Sequence, residues 1–239
     1  MSTLFVVRHG QASFFEANYD RLSELGREQS RRLARYWIDQ GLRFDVVIAG
    51  PRERQIDTAQ IIGQVYQDER LPWPQVEVSP AFDEYQAEAV LKQALPALME
   101  QDEQIKSLYG AVEQATDQAQ TLRAFQKVYE LVISRWSRGE LALADIEPWA
   151  DFCARVQAGI DAVMARQQRG LRVAIFTSGG PVGVTLGRAL QLSSQKTLEM
   201  AWMVYNAAYA EYAYDQQRFT LSRFNATPHL VQREHLTYR

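Results

Sequence analysis

Residues 4–10 read LFVVRHG, and no other stretch limits the fold of this chain as tightly. Leu4, Phe5, Val6 and Val7 run unbroken into Arg8, His9 and Gly10. A half-exposed strand would alternate apolar and polar residues. A continuous apolar run closed by glycine is the pattern of a strand buried on both faces, as in sheets covered by helices. In open α/β sheets, ligands gather at the carboxyl ends of such strands, and Arg8 and His9 stand at that end. Arg8 brings a planar, permanent cation whose fork fits phosphate oxygens. His9 brings a nitrogen nucleophile that is largely neutral near pH 7, and Gly10 lets the backbone turn sharply beside a ligand. On the tripeptide alone, two polar residues that merely cap a strand are an equal reading.

The rest of the chain alternates helix and strand. After a connection without clear period from Gln11 to Arg21, Leu25, Gln29, Leu33, Tyr36 and Trp37 fall near helical spacing, and Gly41 stands where a helix-terminating glycine belongs. Phe44 to Gly50 (FDVVIAG) is a second buried strand, followed by polar residues that include Arg54 and by a helical stripe of Ile56, Ala59, Ile62 and Tyr66. VEVSPAFDE reads as a short strand ending at Phe82, Asp83 and Glu84. A helix is expected from about Trp149 to Gln167, then a buried strand and turn in RVAIFTSGGP, then a helix with Pro181 at its first position. AAYAEYAYD and RFTLSRFN form a hairpin around two glutamines, and HLVQREHLTYR is a polar tail. The alternation predicts a three-layer α/β/α fold with a mostly parallel central sheet, built as a single domain over residues 1–239.

Residues 85–145 break this pattern. They carry helical periodicity and no strand-like run, and between Asp83 and Asp117 eight acids face only Lys92 and Lys106. The stretch is expected to be a helical insertion, a cap near the active site rather than an independent domain.

Charge and cysteine content narrow the function. With 26 Lys and Arg against 29 Asp and Glu, the net charge of −3 leaves no basic excess to hold a nucleic-acid backbone. Cys153 is the single cysteine and the histidines number 3 (His9, His229, His235), so an intrachain disulfide and cysteine-rich zinc sites are excluded. The first apolar run is too short for a signal or a membrane span, and no basic segment precedes it, so a cytoplasmic location without a membrane partner is expected. The oligomeric state is not encoded.

Arg8 and His9, Arg54 and Glu84 lie after three separate strands. If those strands are parallel neighbours, two guanidiniums, an imidazole and a carboxyl share one rim, a set of groups suited to phosphoryl transfer. In this arrangement the chain resembles the histidine phosphatase superfamily, which includes the phosphoglycerate mutases. RHG (Arg8–Gly10) matches its signature tripeptide, and LSELGREQSRRLA (Leu22–Ala34) is similar to its following helix. GPRERQIDTA (Gly50–Ala59) resembles its second motif, with Arg54, Thr58 and Ala59 in register. FDE (Phe82–Glu84) looks like the element supplying its proton donor, and NAAYAEY and RFNATPHL resemble its last strands. The resemblance implies that His9 becomes phosphorylated, that Arg8 and Arg54 bind the phosphoryl group, and that Glu84 acts as general acid and then base, with Asp83 in reserve. It implies a small phosphorylated substrate and neither metal nor cofactor, since the arginines supply the positive charge.

One element departs from the family. Where it has a His-Gly pair at the end of a buried strand, this chain has IFTSGGP, with Ser178 in place of the second histidine. A hydroxyl gives a neutral hydrogen bond where an imidazolium gives a charge-assisted one, a difference on the order of 1–2 kcal/mol or about tenfold in rate. Ser178, Gly179 and Gly180 precede a helix, so their N–H groups and the positive helix end could face the anion and compensate in part. His229 or His235 could also fold back into the vacancy. Thr58 reads as a helix-packing residue. The function expected is hydrolysis of phosphate monoesters through a phosphohistidine, at reduced activity. The alternatives are a phosphate-binding regulatory protein with little turnover and a phosphoglycerate mutase. For a mutase, more Lys or Arg would be expected in the insertion.

Overall fold

The computed structural model of the chain describes residues 1–13, 20–166 and 168–238. The middle of the connection expected between Gln11 and Arg21, and the residue expected to end the helix at Gln167, lie outside the described residues.

The chain runs β1 (Ser2–Arg8), α1 (Glu24–Asp39), β2 (Val46–Ala49), α2 (Glu53–Asp68), β3 (Val76–Val78), α3 (Ala87–Gln101), α4 (Glu103–Glu113), α5 (Gln118–Ser137), α6 (Trp149–Met164), β4 (Arg172–Thr177), α7 (Gly179–Leu190), α8 (Ser194–Trp202), β5 (Tyr209–Tyr214) and β6 (Phe219–Ala226). By contact it divides into two compact units, residues 1–84 with 153–239, and residues 85–152. No helix among the described residues is long and apolar enough to cross a membrane.

The first unit is an α/β fold around a six-stranded sheet in the order β3-β2-β4-β1-β5-β6. The first four strands in that order are mutually parallel, and β5 and β6 are antiparallel. The doubly apolar character of β1 has its cause here. Phe5 and Val7 point into a cluster with Leu33, Ala34 and Trp37 of α1 and Ala59, Ile62 and Tyr66 of α2. Leu4 and Val6 are as deeply buried on the other face, where α7 packs against β1. Burying four such side chains stabilises the fold by about 1.5–3 kcal/mol each. Ser23 caps α1 by accepting from the Gly26 N–H, and Gly41 takes the left-handed conformation (φ +67°) that closes the helix.

Two expectations about the rim are corrected. β1, which ends in Arg8, and β2, which precedes Arg54 of α2, are not neighbours, because β4 lies between them. Glu84 does not end a strand: β3 stops at Val78, and Pro80–Phe82 form a 3-10 turn. Pro80 has no N–H to extend a ladder whose last bond is Ser79 N–H to the Ala49 carbonyl at 2.8 Å. In sequence, β4 follows β2 only after the whole helical stretch and is not expected between β1 and β2, and α8 is not expected at all.

The second unit is helical throughout. It contains α3, α4 and α5; Asp102 caps α4 by accepting from the Gln104 and Ile105 N–H groups and pairs with Arg135 of α5. Its apolar centre is aromatic: Tyr85, Trp136, Trp149 and Phe152 meet with ring centroids 5.3–5.6 Å apart for the adjacent pairs.

Candidate active site

The end of β1 is set by its neighbours. Arg8 pairs in register with Thr177 of β4, the His9 N–H donates to the Thr177 carbonyl at 2.8 Å, and the His9 carbonyl accepts from Ala207 N–H at 3.1 Å. The turn that follows fits only without side chains. A Cβ on Gly10 would stand 2.3 Å from the Gly26 oxygen, and one on Gly26 would stand 2.1 Å from the Gln11 oxygen. Thr58 tethers the same turn, accepting from Gly10 N–H at 3.1 Å and donating to the Arg54 carbonyl at 2.7 Å. Its role as a packing residue is therefore joined by a second one, fixing the first turn of α2 to the His9 loop.

His9 is buried, with 5% of its surface exposed. Its Nδ1 lies 2.6 Å from the Gly10 carbonyl, and its Nε2 lies 3.0 Å from the Nε of Arg54. A carbonyl can only accept and a guanidinium can only donate. Both contacts therefore require one tautomer, with the proton on Nδ1 and the lone pair on Nε2. Burial, reinforced by the charges of Arg54 and then Arg8, pushes the His9 pKa well below its ordinary value and outweighs the opposing Gly10 carbonyl.

Arg54 projects from the first turn of α2, and its Nη1 is 2.7 Å from Asp20 Oδ1. The other oxygen of Asp20 accepts from the Glu53 N–H at the start of that helix, at 3.0 Å. Asp20 was not singled out from the sequence; it belongs to no periodic run, and only its partner identifies it. Arg8 donates from Nη1 to the Val204 carbonyl.

Ser178 is almost fully buried at the N-terminus of α7, directly after Thr177, whose carbonyl holds the His9 backbone. Its Oγ accepts from Gln55 Nε2 at 2.8 Å. Gln55 is oriented by its own oxygen, which accepts from Arg52 N–H at 3.2 Å. The Ser178 hydroxyl proton is thus not used toward Gln55. Gly179 opens α7, and the next N–H, that of Gly180, donates to Glu84 Oε2 at 3.0 Å. Asp83 is engaged elsewhere: its Oδ1 accepts from Arg52 Nε at 2.6 Å and from Glu84 N–H at 2.7 Å. Arg155 of α6 clamps the turn before them, donating to the carbonyls of Pro80 at 2.8 Å and Ala81 at 3.1 Å.

His9 and Arg54 are therefore in direct contact, Ser178 is tied to the residue after Arg54, and Glu84 meets the helix that Ser178 begins. His9 and Ser178 directly follow the ends of β1 and β4, and Arg54 lies in the first turn of the helix after β2. Neither remaining histidine reaches these groups among the described contacts. His229 lies against Tyr36, with ring centroids 6.4 Å apart, and the His235 carbonyl accepts from Gln29.

A sequence profile of the Histidine phosphatase superfamily (branch 1) matches residues 4–138 and 87–227. This chain belongs to the histidine phosphatase superfamily. Other members with solved structures have the same fold at low identity. They include a phosphoglycerate mutase from Bacillus anthracis (18% identity, TM-score 0.61, covering 96% of this chain and 95% of the other). A mycobacterial glucosyl-3-phosphoglycerate phosphatase is also similar (18% identity, TM-score 0.61, covering 95% and 100%). So is a phosphoserine phosphatase from Entamoeba histolytica (14% identity, TM-score 0.62, covering 97% and 100%). Among curated proteins, none matches the chain in sequence.

Proposed function

We propose that this histidine phosphatase superfamily member is a metal-independent phosphomonoesterase that works through a phosphohistidine on His9. The observation that carries the reading is the state of the His9 ring: Nδ1 is occupied by the Gly10 carbonyl, and Nε2 keeps its lone pair toward Arg54. A buried, neutral imidazole flanked by cations is a nucleophile waiting for an anion.

When a phosphate monoester binds, its oxygens take over the N–H groups of Arg54 and Arg8, which frees the Nε2 lone pair. Nε2 then attacks phosphorus, the P–O bond to the leaving group breaks, and the proton of Glu84 goes to the departing oxygen. Glu84, now a carboxylate, takes a proton from water, whose oxygen attacks phosphorus. The P–N bond breaks and inorganic phosphate leaves with Nε2 restored. Ser178 contributes a neutral donor where a second imidazolium would stand, with Gly179 beside it at the positive end of α7.

Asp83 is the weaker candidate for the proton role, because its Oδ1 is already engaged by Arg52 Nε at 2.6 Å and by the Glu84 N–H at 2.7 Å. A phosphoglycerate mutase has the same fold. A phosphoglycerate mutase would be expected to carry more Lys or Arg than the two lysines found between Asp83 and Asp117.

The test is turnover of p-nitrophenyl phosphate together with trapping of the intermediate. Phosphate release and an acid-labile, alkali-stable protein phosphate, both absent in His9→Ala, are the expected result. Phosphate binding without release would favour the regulatory alternative, and transfer to glycerate the mutase.

A further inference from the structure

The final segment, a polar tail by sequence, returns to the back of the His9 turn. Gln29 of α1 and Asn206 are both fully buried, and each is an amide with its hydrogen-bonding capacity directed at two places. Gln29 Oε1 accepts from Gln11 N–H at 2.9 Å, and its Nε2 donates to the His235 carbonyl at 2.8 Å and to Thr237 Oγ at 3.0 Å. Asn206 Nδ2 donates to the His9 carbonyl at 3.3 Å, and its Oδ1 accepts from Thr237 Oγ at 3.0 Å. The Asn206 N–H also donates to the Thr237 carbonyl at 2.8 Å. The Thr237 hydroxyl thus accepts from one amide and donates to the other, and those amides hold the backbone groups on either side of Gly10.

Gly10 is the residue whose carbonyl fixes His9 Nδ1 at 2.6 Å. Moving the turn moves that carbonyl, and with it the ring. Beside this link, Tyr238 stacks on Tyr205 with centroids 4.2 Å apart, so the segment is pinned at two adjacent residues. Mere anchoring of a chain end would need only the stack. It would not need two buried amides converging on one hydroxyl and spanning the nucleophile's turn.

We propose that Thr237 is a positioning residue for His9, acting through Gln29 and Asn206 to hold the Gly10 carbonyl at the imidazole. The inference rests on His9 being the nucleophile, and its test has one arm that does not. Thr237→Val keeps the shape and removes the hydroxyl, Thr237→Ser restores it, and Thr237→Ala serves if the branched replacement does not fold. The first arm follows kcat and KM for p-nitrophenyl phosphate. The second follows hydrogen exchange of the Gln11 amide, with melting temperature measured alongside. Loss of one orienting hydrogen bond is expected to lower kcat about tenfold in Thr237→Val with KM within about twofold. Gln11 exchange is expected to quicken by about tenfold, and Thr237→Ser to recover both. Unchanged kcat and unchanged Gln11 protection in Thr237→Val, or a serine variant no better than the valine one, would overturn the proposal. If the unmodified protein releases no phosphate, the enzymatic reading fails by itself, and the exchange arm still decides whether Thr237 holds the turn.

Discussion

Arg54 points its Nε–H at the unprotonated nitrogen of His9, 3.0 Å away. The same guanidinium reaches Asp20 at 2.7 Å from another nitrogen. The cation thus satisfies the His9 ring and a carboxylate together, and it is held in a fixed plane by both. In the proposed reaction an arriving phosphoryl group would meet donors that are already oriented, which is where electrostatic catalysis has most of its effect.

Lysine cannot reproduce this geometry. Arg54→Lys keeps the charge but offers a single flexible ammonium that cannot serve His9, Asp20 and phosphate from fixed directions. Steady-state kinetics on p-nitrophenyl phosphate should show kcat/KM lower by roughly 10²–10³, the usual cost of removing one such donor. A variant within threefold of the unmodified protein would mean that Arg54 contributes charge alone.

The pH profile should carry the signature of a depressed imidazole. In the proposed mechanism His9 must be neutral to attack, and burial with the two arginines lowers its pKa well below 6.5. Protonation of the free enzyme therefore inactivates it only well below pH 6.5, and the acid limb of kcat/KM that belongs to His9 lies there. Arg54→Ala removes one of the charges responsible, so NMR titration of the His9 ring should show its pKa rise toward the ordinary value. A ring titrating at 6.5 in the unmodified protein would contradict this.

Ser178 offers a narrower test. Removing its hydroxyl leaves the Gln55 amide with an unmet donor and, on the proposed role of Ser178, the phosphate one hydrogen bond poorer, so Ser178→Ala should lose about tenfold in kcat/KM. Ser178→His should not gain activity. The site is almost fully buried and Gln55 Nε2 stands 2.8 Å from Oγ, so an imidazole must displace Gln55 before it can face the anion. A histidine variant faster than the natural serine would show that the pocket adapts freely.

Glu84 and Asp83 separate by leaving group. A proton donor matters most when the departing alkoxide is strongly basic, and little for nitrophenolate. Glu84→Gln should therefore depress hydrolysis of an alkyl phosphate by roughly 10²–10⁴ and that of p-nitrophenyl phosphate much less. Asp83→Asn should loosen Arg52 and affect both substrates alike. The reverse pattern would hand the proton role to Asp83.

How far these residues can be read from sequence depends on how local their partners are. His9, Arg54 and Ser178 each follow an apolar run that ends abruptly, so period and glycine stops place them at strand ends. The order of strands is another matter. β4 enters between β1 and β2 after the whole helical stretch, and no local pattern records that insertion. Short helices were also hidden: α8 has nine residues and α4 buries only Ile105, too few turns to establish a stripe. Asp20 and Thr237 lack even that, and Gln29, though it falls on the α1 stripe, shows no partner there. Gln29 meets Thr237 across 208 positions, and single polar residues acquire meaning only when folding brings their partners to them.

The buried imidazole outside the site gives the last prediction, one of stability. His229 lies against Tyr36 with its pKa lowered to about 3, chiefly by burial; the Ala207 backbone opposes the shift and the charge of Arg32 adds to it. In the unfolded chain the same group titrates near 6.5. Above pH 6.5 the ring is neutral in both states and the pH has no hold on it. As the pH falls from 6.5 toward 3, the unfolded state takes up a proton that the folded state refuses, so stability drains away across that window. The slope for one group is about 1.4 kcal/mol per pH unit where the difference is complete. His229→Phe retains a ring beside Tyr36 and cannot titrate. Denaturant unfolding of the two proteins should give a constant stability difference above pH 6.5. Below it, the difference should shift steadily toward the phenylalanine variant as acid is added, while His9 contributes the same loss to both. Parallel curves from pH 7 to pH 4 would mean that His229 gains its proton inside the fold.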